Sequence, residues 1–380
     1  MSEQRDKIFF PNLDGFRFLS FFIVFLTHAI GGEISGIQEP EWYSFWRIRL
    51  FSEGSTIGVS FFFVLSGFLI TYLLMKEREY RGKVHVGSFY MRRILRIWPL
   101  YYLIVIYSFV LMPVLKPLIG KISAETADPL LCSLFLNNFN IIENGSPVLT
   151  ALAVLWSVAI EEQFYLIWPL LFAFIPSRFY QYIFIGVLVL STLFRGINLG
   201  NIQSIEVHTL GVIADMAMGG LGAYLTIRSP KFLQYLKQMK GPYLVMPYLF
   251  VLILFFFKVE LFFEIPLLLL FKRIIISFFF IWIILEQNFS ENSWFKMGNF
   301  KGITKWGKYT YGLYCLHPIA ISMVIILLQK LGMLQSYWQL PVIVMPLALV
   351  FSLLMSYVSY QYFEKFFLRL KENFAFISQK

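Results

Sequence analysis

The sequence predicts an all-α polytopic membrane protein with about ten transmembrane helices and both termini in the cytoplasm. Three observations carry this reading. The chain of 380 residues is 58% hydrophobic, 19% aromatic and 14% charged, whereas soluble domains have about 45–50% apolar and about 25% charged residues. The apolar residues form long, near-continuous runs, each close to the roughly 20 residues that a helix needs to cross about 30 Å of hydrocarbon. Membrane β-barrels would instead alternate over strands of about 10 residues. Finally, the basic residues fall between the runs and are biased to one side.

Ten runs fit, at roughly 14–31, 56–75, 97–115, 153–175, 180–195, 208–227, 242–258, 265–286, 309–329 and 341–363. An even number of spans puts both termini on one side. With the N-terminus inside, the cytoplasmic segments hold 22 Lys and Arg against 7 in the opposite loops, the positive-inside bias. The richest is 76–96, KEREYRGKVHVGSFYMRRILR. The net charge of +10 therefore reads as contact with anionic membrane lipids and not with nucleic acid. Cys132 and Cys315 have no paired spacing, which argues against a disulfide framework, a zinc site or an iron–sulfur site, and no metal is expected. No small-residue cleavage site follows the first run, so that helix is expected to stay as an anchor. The outer loops 31–55 and 116–150 are too short for a separate enzyme domain, and neither repeats nor low-complexity linkers occur. Residues 1–380 are read as one transmembrane domain with its core at about 8–370. The pattern is least regular over 242–286, where Lys258, Glu260, Glu264, Lys272 and Arg273 interrupt it.

Ionisable residues inside spans mark function by default, and structural ion pairing or snorkelling is the competing explanation. The first span, DGFRFLSFFIVFLTHAI, carries Asp14, Arg17 and His28. Arg17 and His28 are eleven positions apart, so the two share a helix face about 16 Å apart along the axis, and Asp14 lies near that face. In the second span Ser66-Gly67 permits close helix approach. The third begins MRRILRIWPLYY, with Arg92, Arg93 and Arg96 where the helix enters the membrane. Guanidinium groups there suit phosphate oxygens, whether of a ligand or of lipid headgroups. The fourth, LWSVAIEEQFYLIWPLL, holds Glu161 and Glu162; adjacent carboxylates face different neighbours, and at least one is expected to pair. Asp215 in the sixth span needs a partner. In the ninth, YTYGLYCLHPIAI, His317 precedes Pro318, and a proline there frees a carbonyl and can kink the helix. Asp14, Ser66, Asp215 and His317 are secondary candidates for the site.

Together these segments resemble the acyltransferase-3 family of integral membrane O-acyltransferases. LDGFRFLSFFIVFLTH resembles that family's first helix, with its Arg-x10-His pattern met by Arg17 and His28. VSFFFVLSGFLI, RRILRIWPLYY, LWSVAIEEQFYLIWP and YTYGLYCLHP match later motifs in order, and YQYFEKFFLRL is similar to the closing helix, with Glu364 at the family's usual Glu. The middle, 177–300, matches less well, and the resemblance does not account for Lys272 and Arg273. The resemblance implies transfer of an acyl group, usually acetyl from cytoplasmic acetyl-CoA, to a hydroxyl of a glycan or other acceptor outside the bacterial inner membrane. It also implies the stand-alone form, without an appended esterase-like domain.

Such a transfer needs a base, oxyanion stabilisation and a grip on the donor. An imidazole titrates near pH 6.5, so His28 is expected either to take the hydroxyl proton or to carry the acyl group. Glu161 or Glu162 is expected to orient it, as a carboxylate does in a hydrolytic triad. Arg17, Arg92, Arg93 and Arg96 are expected to cradle the phosphates of acyl-CoA. The polar stripe from Arg17 to His28 would let a cytoplasmic donor reach an external glycan acceptor. The main alternative is a transporter or flippase of a polar or lipid-linked substrate, which would also place charges inside spans, but would be expected to show two related halves. Trp42, Tyr43 and Trp46 in the first outer loop suit sugar stacking or an interfacial aromatic belt.

Overall fold

The computed structural model describes residues 10–32, 34, 36–51, 54–118, 125–262 and 265–374, and no β-strand forms among them. The helices that position the site are α1 (Pro11–Ile30), α2 (Glu41–Phe51), α3 (Gly54–Arg81), α4 (Val86–Ile106), α5 (Asn137–Asn144), α6 (Leu155–Phe174), α7 (Tyr180–Ile197), α8 (Ile202–Val207), α9 (Ala214–Arg228), α10 (Pro230–Gln238), α11 (Pro242–Phe262), α12 (Pro266–Phe289), α13 (Thr310–Lys330) and α14 (Met345–Ser359). Proline opens α1, α10, α11 and α12, where its missing N–H has no helical acceptor to lose.

Among the described residues, eight helical segments are long and apolar enough to cross a membrane, or nine if α10 and Pro242–Phe257, bent by 83°, form one broken span. The chain is thus an all-α, multi-pass membrane protein, and these nine segments correspond to nine of the ten expected runs. The tenth, at 208–227, is helical but does not form one continuous helix of that length. It is divided into Thr209–Val212 and the 15-residue α9, which rises only about 22 Å. The reason lies in its burial. Asp215, Met216, Ala217, Gly219, Gly220 and Ala223 are all buried in the protein, so this segment is enclosed by other helices and irregular backbone is tolerated beside it. The side chains of Lys258 and Glu260, all of Glu264, and residues 8–9 of the expected core lie outside the described residues.

Two glycines bring α9 and α3 into backbone contact. A Cβ on Gly67 would lie 2.0 Å from the Met216 carbonyl oxygen, and one on Gly219 would lie 2.0 Å from that of Val64. Small residues permit this approach between membrane helices. On one flank, Phe21 and Phe25 of α1 pack with Leu313 and Val324 of α13 and Ala348 of α14. On another, Phe61 and Phe68 of α3 pack with Phe280 and Ile284 of α12. Meanwhile Val189 and Leu193 of α7 and Val350 and Leu354 of α14 are exposed. In this solvent such residues form the lipid-facing surface, since lipid tails are as apolar as leucine.

Candidate functional site

A cavity of about 130 Å³ lies among α1, α3, α4, α6 and α13, and Arg17, Arg93, Arg96, Ser66, Glu161 and Tyr165 line it together with apolar side chains. Arg17 lies in the first half of α1, Arg93 and Arg96 lie in α4 up to its midpoint, Ser66 stands near the middle of α3, and Glu161 and Tyr165 lie in the first half and at the middle of α6, so the cavity reaches into the middle of the bundle. Arg17 is ion-paired to Asp14, one turn earlier on α1. The Arg93 guanidinium lies over the rings of Tyr165, at 5.5 Å, and Phe89, at 5.6 Å, which favours a flat cation. Its buried Nε has no hydrogen-bond acceptor among the described residues. Three guanidinium groups against Glu161 and the Asp14 partner of Arg17 leave a net positive charge at the cavity, so it suits an anionic ligand. Glu161 accepts from Ser66 Oγ at 2.8 Å and has the Tyr165 hydroxyl at 3.1 Å.

A second cavity, of about 190 Å³, holds His28 together with Ser55, Ser146, Trp156 and Val207. It is built from the last turn of α1, the first turns of α3 and α6, and the segment 141–154, so it lies toward the opposite end of the bundle from the arginines. Ser146, on its border, is exposed. Among the described residues, Val59 and Tyr314 line both cavities and so connect the arginine end with the histidine end. The Tyr314 hydroxyl lies 2.7 Å from Ser157 Oγ and donates to the Val154 carbonyl at 3.2 Å.

The partner of His28 is His317: Nδ1 of His28 lies 2.8 Å from Nε2 of His317. Neither glutamate expected to orient His28 does so. Glu161 is held in the arginine cavity, and Glu162 turns the other way to accept from Trp98 Nε1 at 2.9 Å, as adjacent residues on a helix must diverge by about 100°. Arg92 is not among the residues lining either cavity. It donates to the Phe374 carbonyl at 2.8 Å and lies 3.6 Å from Glu77. The i,i+4 spacing of Arg92 and Arg96 did not place them on one cavity, whereas Arg93 and Arg96, at i,i+3, share it. Cys132 is buried, and burial pushes its thiol up to about 12, so at neutral pH it is protonated and a poor nucleophile.

Asp215 lies apart from both cavities, in a network the sequence pattern left unexplained. Arg273 of α12 donates to Asp215 Oδ2 at 3.0 Å, to Ser60 Oγ at 3.0 Å and to Glu206 Oε2 at 2.7 Å. Lys272 donates to Glu206 Oε1 at 3.2 Å, and Arg195 of α7 donates to the carbonyls of Ile205, at 2.7 Å, and Leu269, at 2.8 Å. Glu206 is the residue missed. The signal for it was that unmatched cations in the eighth span require a buried acid, and Glu206 sits just before the sixth. Other lining residues, Tyr165, Ser157 and Tyr314, carried no charge to draw attention.

Curated relatives align over part of the chain. The O-acetyltransferase OatA of Staphylococcus aureus (strain NCTC 8325 / PS 47) is 31% identical over 178 residues, 45% of this chain and 26% of the relative. The peptidoglycan O-acetyltransferase OatA of Listeria monocytogenes is 34% identical over 165 residues, 42% of this chain and 23% of the relative. The putative peptidoglycan O-acetyltransferase YrhL of Bacillus subtilis is 37% identical over 129 residues, 31% of this chain and 19% of the relative. The chain thus spans about a quarter or less of the length of these relatives. No solved structure matches. The acyltransferase domain family matches over residues 10–360, nearly the whole helical assembly just described, and the chain belongs to that family.

Proposed function

We propose that this chain is a membrane O-acyltransferase, an O-acetyltransferase that moves an acetyl group from cytoplasmic acetyl-CoA to a hydroxyl of an extracytoplasmic glycan. Its home is the bacterial inner membrane, with both termini cytoplasmic. The observation that carries the reading is the pair of cavities meeting at Val59 and Tyr314, one cationic and one holding His28. The positive-inside bias puts the arginine end at the cytoplasm. Arg17, Arg93 and Arg96 bind the donor's phosphates, and Glu161, tied to Ser66 and Tyr165, limits the positive charge there. Arg92 anchors the chain behind the cavity. The pantetheine arm, extending along the bundle axis, brings the thioester past Tyr314 to His28. There the imidazole takes the proton of an acceptor hydroxyl entering from the other side. The names of the relatives, two of them peptidoglycan O-acetyltransferases, support a cell-wall glycan as the acceptor class.

The test is purified protein with radiolabelled acetyl-CoA and glycan acceptors, alongside sealed vesicles for uptake. Transfer of label to glycan is expected. Vesicle uptake without label transfer would replace the enzyme by a transporter. His28→Ala is expected to yield folded, membrane-inserted protein with transfer lowered by at least about 100-fold, the lower end of what a general base supplies; normal acylation by this variant would refute the role of His28.

A further inference from the structure

The contact between His28 and His317 has a direction, and the backbone sets it. His317 Nδ1 lies 2.8 Å from the carbonyl oxygen of Tyr314 and 3.2 Å from that of Leu313. Carbonyl oxygens only accept, so this nitrogen carries a hydrogen. The Tyr314 carbonyl is available because the residue four positions on is Pro318, which has no N–H to return to it. In the neutral ring the other nitrogen, Nε2, then holds a lone pair. That lone pair faces His28 Nδ1 at 2.8 Å, so His28 Nδ1 must donate, and His28 Nε2 is left as an unprotonated base.

The ring geometry fits an in-line hydrogen bond. The two imidazole planes are within 3° of parallel and their centroids are 5.1 Å apart. With each nitrogen about 1.1 Å from its ring centre, an in-plane edge-to-edge contact accounts for that separation. His317 is fully buried, with Phe21 and Phe25 edge-on to it and Tyr314 beside it. No carboxylate bonds either ring among the described residues.

We infer that His317 is the positioning residue of His28. A relay from the Tyr314 carbonyl through His317 locks His28 in the tautomer whose Nε2 is free, the task a carboxylate performs in a hydrolytic triad. The catalytic consequence rests on the acyl-transfer reading above. The acceptor O–H bond breaks and its proton goes to His28 Nε2. The oxygen bonds the thioester carbon, whose carbon–sulfur bond breaks to release a thiolate. The Nδ1 proton passes to His317 Nε2, so the two rings share one positive charge until the thiolate recovers a proton.

The test uses the full chain in detergent with 15N-labelled histidine, the His28 resonances being assigned by their loss in His28→Asn. In the wild type, His28 Nε2 is expected at the shift of an unprotonated ring nitrogen and Nδ1 at that of a protonated one. The opposite pattern overturns the relay. His317→Phe, which removes the acceptor, is expected to mix the His28 tautomers and lower kcat for label transfer by at least about 100-fold, with the donor KM within about threefold. His317→Gln offers a carbonyl to His28 and an N–H to Tyr314, and is expected to recover at least about tenfold of the loss. A folded His317→Phe protein with wild-type kcat, or a His317→Gln protein no better than His317→Phe, overturns the proposal. If His317→Phe does not fold, the wild-type spectrum and His317→Gln decide. A wild-type spectrum as expected, together with no acetyl transfer, upholds the relay and refutes the acyl-transfer reading instead.

Discussion

At the scale of single residues, the proposed division of labour is between groups that hold charge and one group that moves a proton. Arg93 combines two ring faces, a place in the cationic cavity and a buried Nε without an acceptor among the described residues, so it is poised for an anion. A hydrogen bond to a charged group contributes about 1.5–3 kcal/mol. Arg93→Ala is therefore expected to raise the donor KM by about 10- to 100-fold with kcat within a few-fold, since uniform binding is lost. Arg92→Ala, whose guanidinium is engaged with Phe374 and Glu77, is expected to affect donor KM much less. Titration of acetyl-CoA binding to the two purified variants compares them directly, and unchanged binding by Arg93→Ala would remove it from the cradle.

At the scale of elements, the α3–α9 contact controls how the cavities are framed. Val59 and Ser66 line cavities from α3, and Gly67 on the same helix meets the α9 backbone with no room for a methyl group. The obstruction is backbone on a buried helix, which cannot swing aside as a flexible side chain would. Overpacking a well-filled interior costs about 1–3 kcal/mol or more. Gly67→Val is expected to lower the thermal midpoint and activity together. Gly87→Ala, at an open position with nothing within 4 Å, is its control and is expected to leave both unchanged. A Gly67→Val protein that melts like the wild type would show that the two helices can separate without consequence.

At the scale of the whole molecule, the buried network of Arg195, Glu206, Asp215, Lys272 and Arg273 joins α7, α8, α9 and α12, and through Ser60 it reaches α3. Removing one member of a buried pair leaves an uncompensated charge and costs about 3–5 kcal/mol. Arg273→Met is expected to destabilise the protein by that order. The double variant Arg273→Met/Asp215→Leu is expected to cost less than the sum of the two single changes, because the sites are coupled. Denaturant or thermal unfolding of the four proteins measures this, and strict additivity would mean the pair does not interact. Orientation is tested at the same scale. A cysteine at Lys83 is expected to react with an impermeant thiol reagent only after the cells are opened, and one at Glu143 in intact spheroplasts. The reverse pattern would invert the direction of transfer.

The sequence alone determined that the chain is a multi-pass helical membrane protein, because a lipid solvent demands long apolar helices and leaves few other solutions. It also singled out Arg17, His28, Arg92, Arg93, Arg96, Glu161 and Glu162, with Asp14, Asp215 and His317 as secondary candidates, because an ionisable group is conspicuous in an apolar span. Only the tertiary structure decided who meets whom. His28 meets His317, which lies 289 residues away, instead of a glutamate. Arg92 turns from the cavity that Arg93 and Arg96 share, and Lys272 and Arg273 find Glu206 and Asp215. The physical reason is that helical periodicity sets the face a residue occupies on its own helix, whereas the rotation and depth of each helix against its neighbours follow from packing, here from backbone contact at Gly67 and Gly219, which no local pattern encodes.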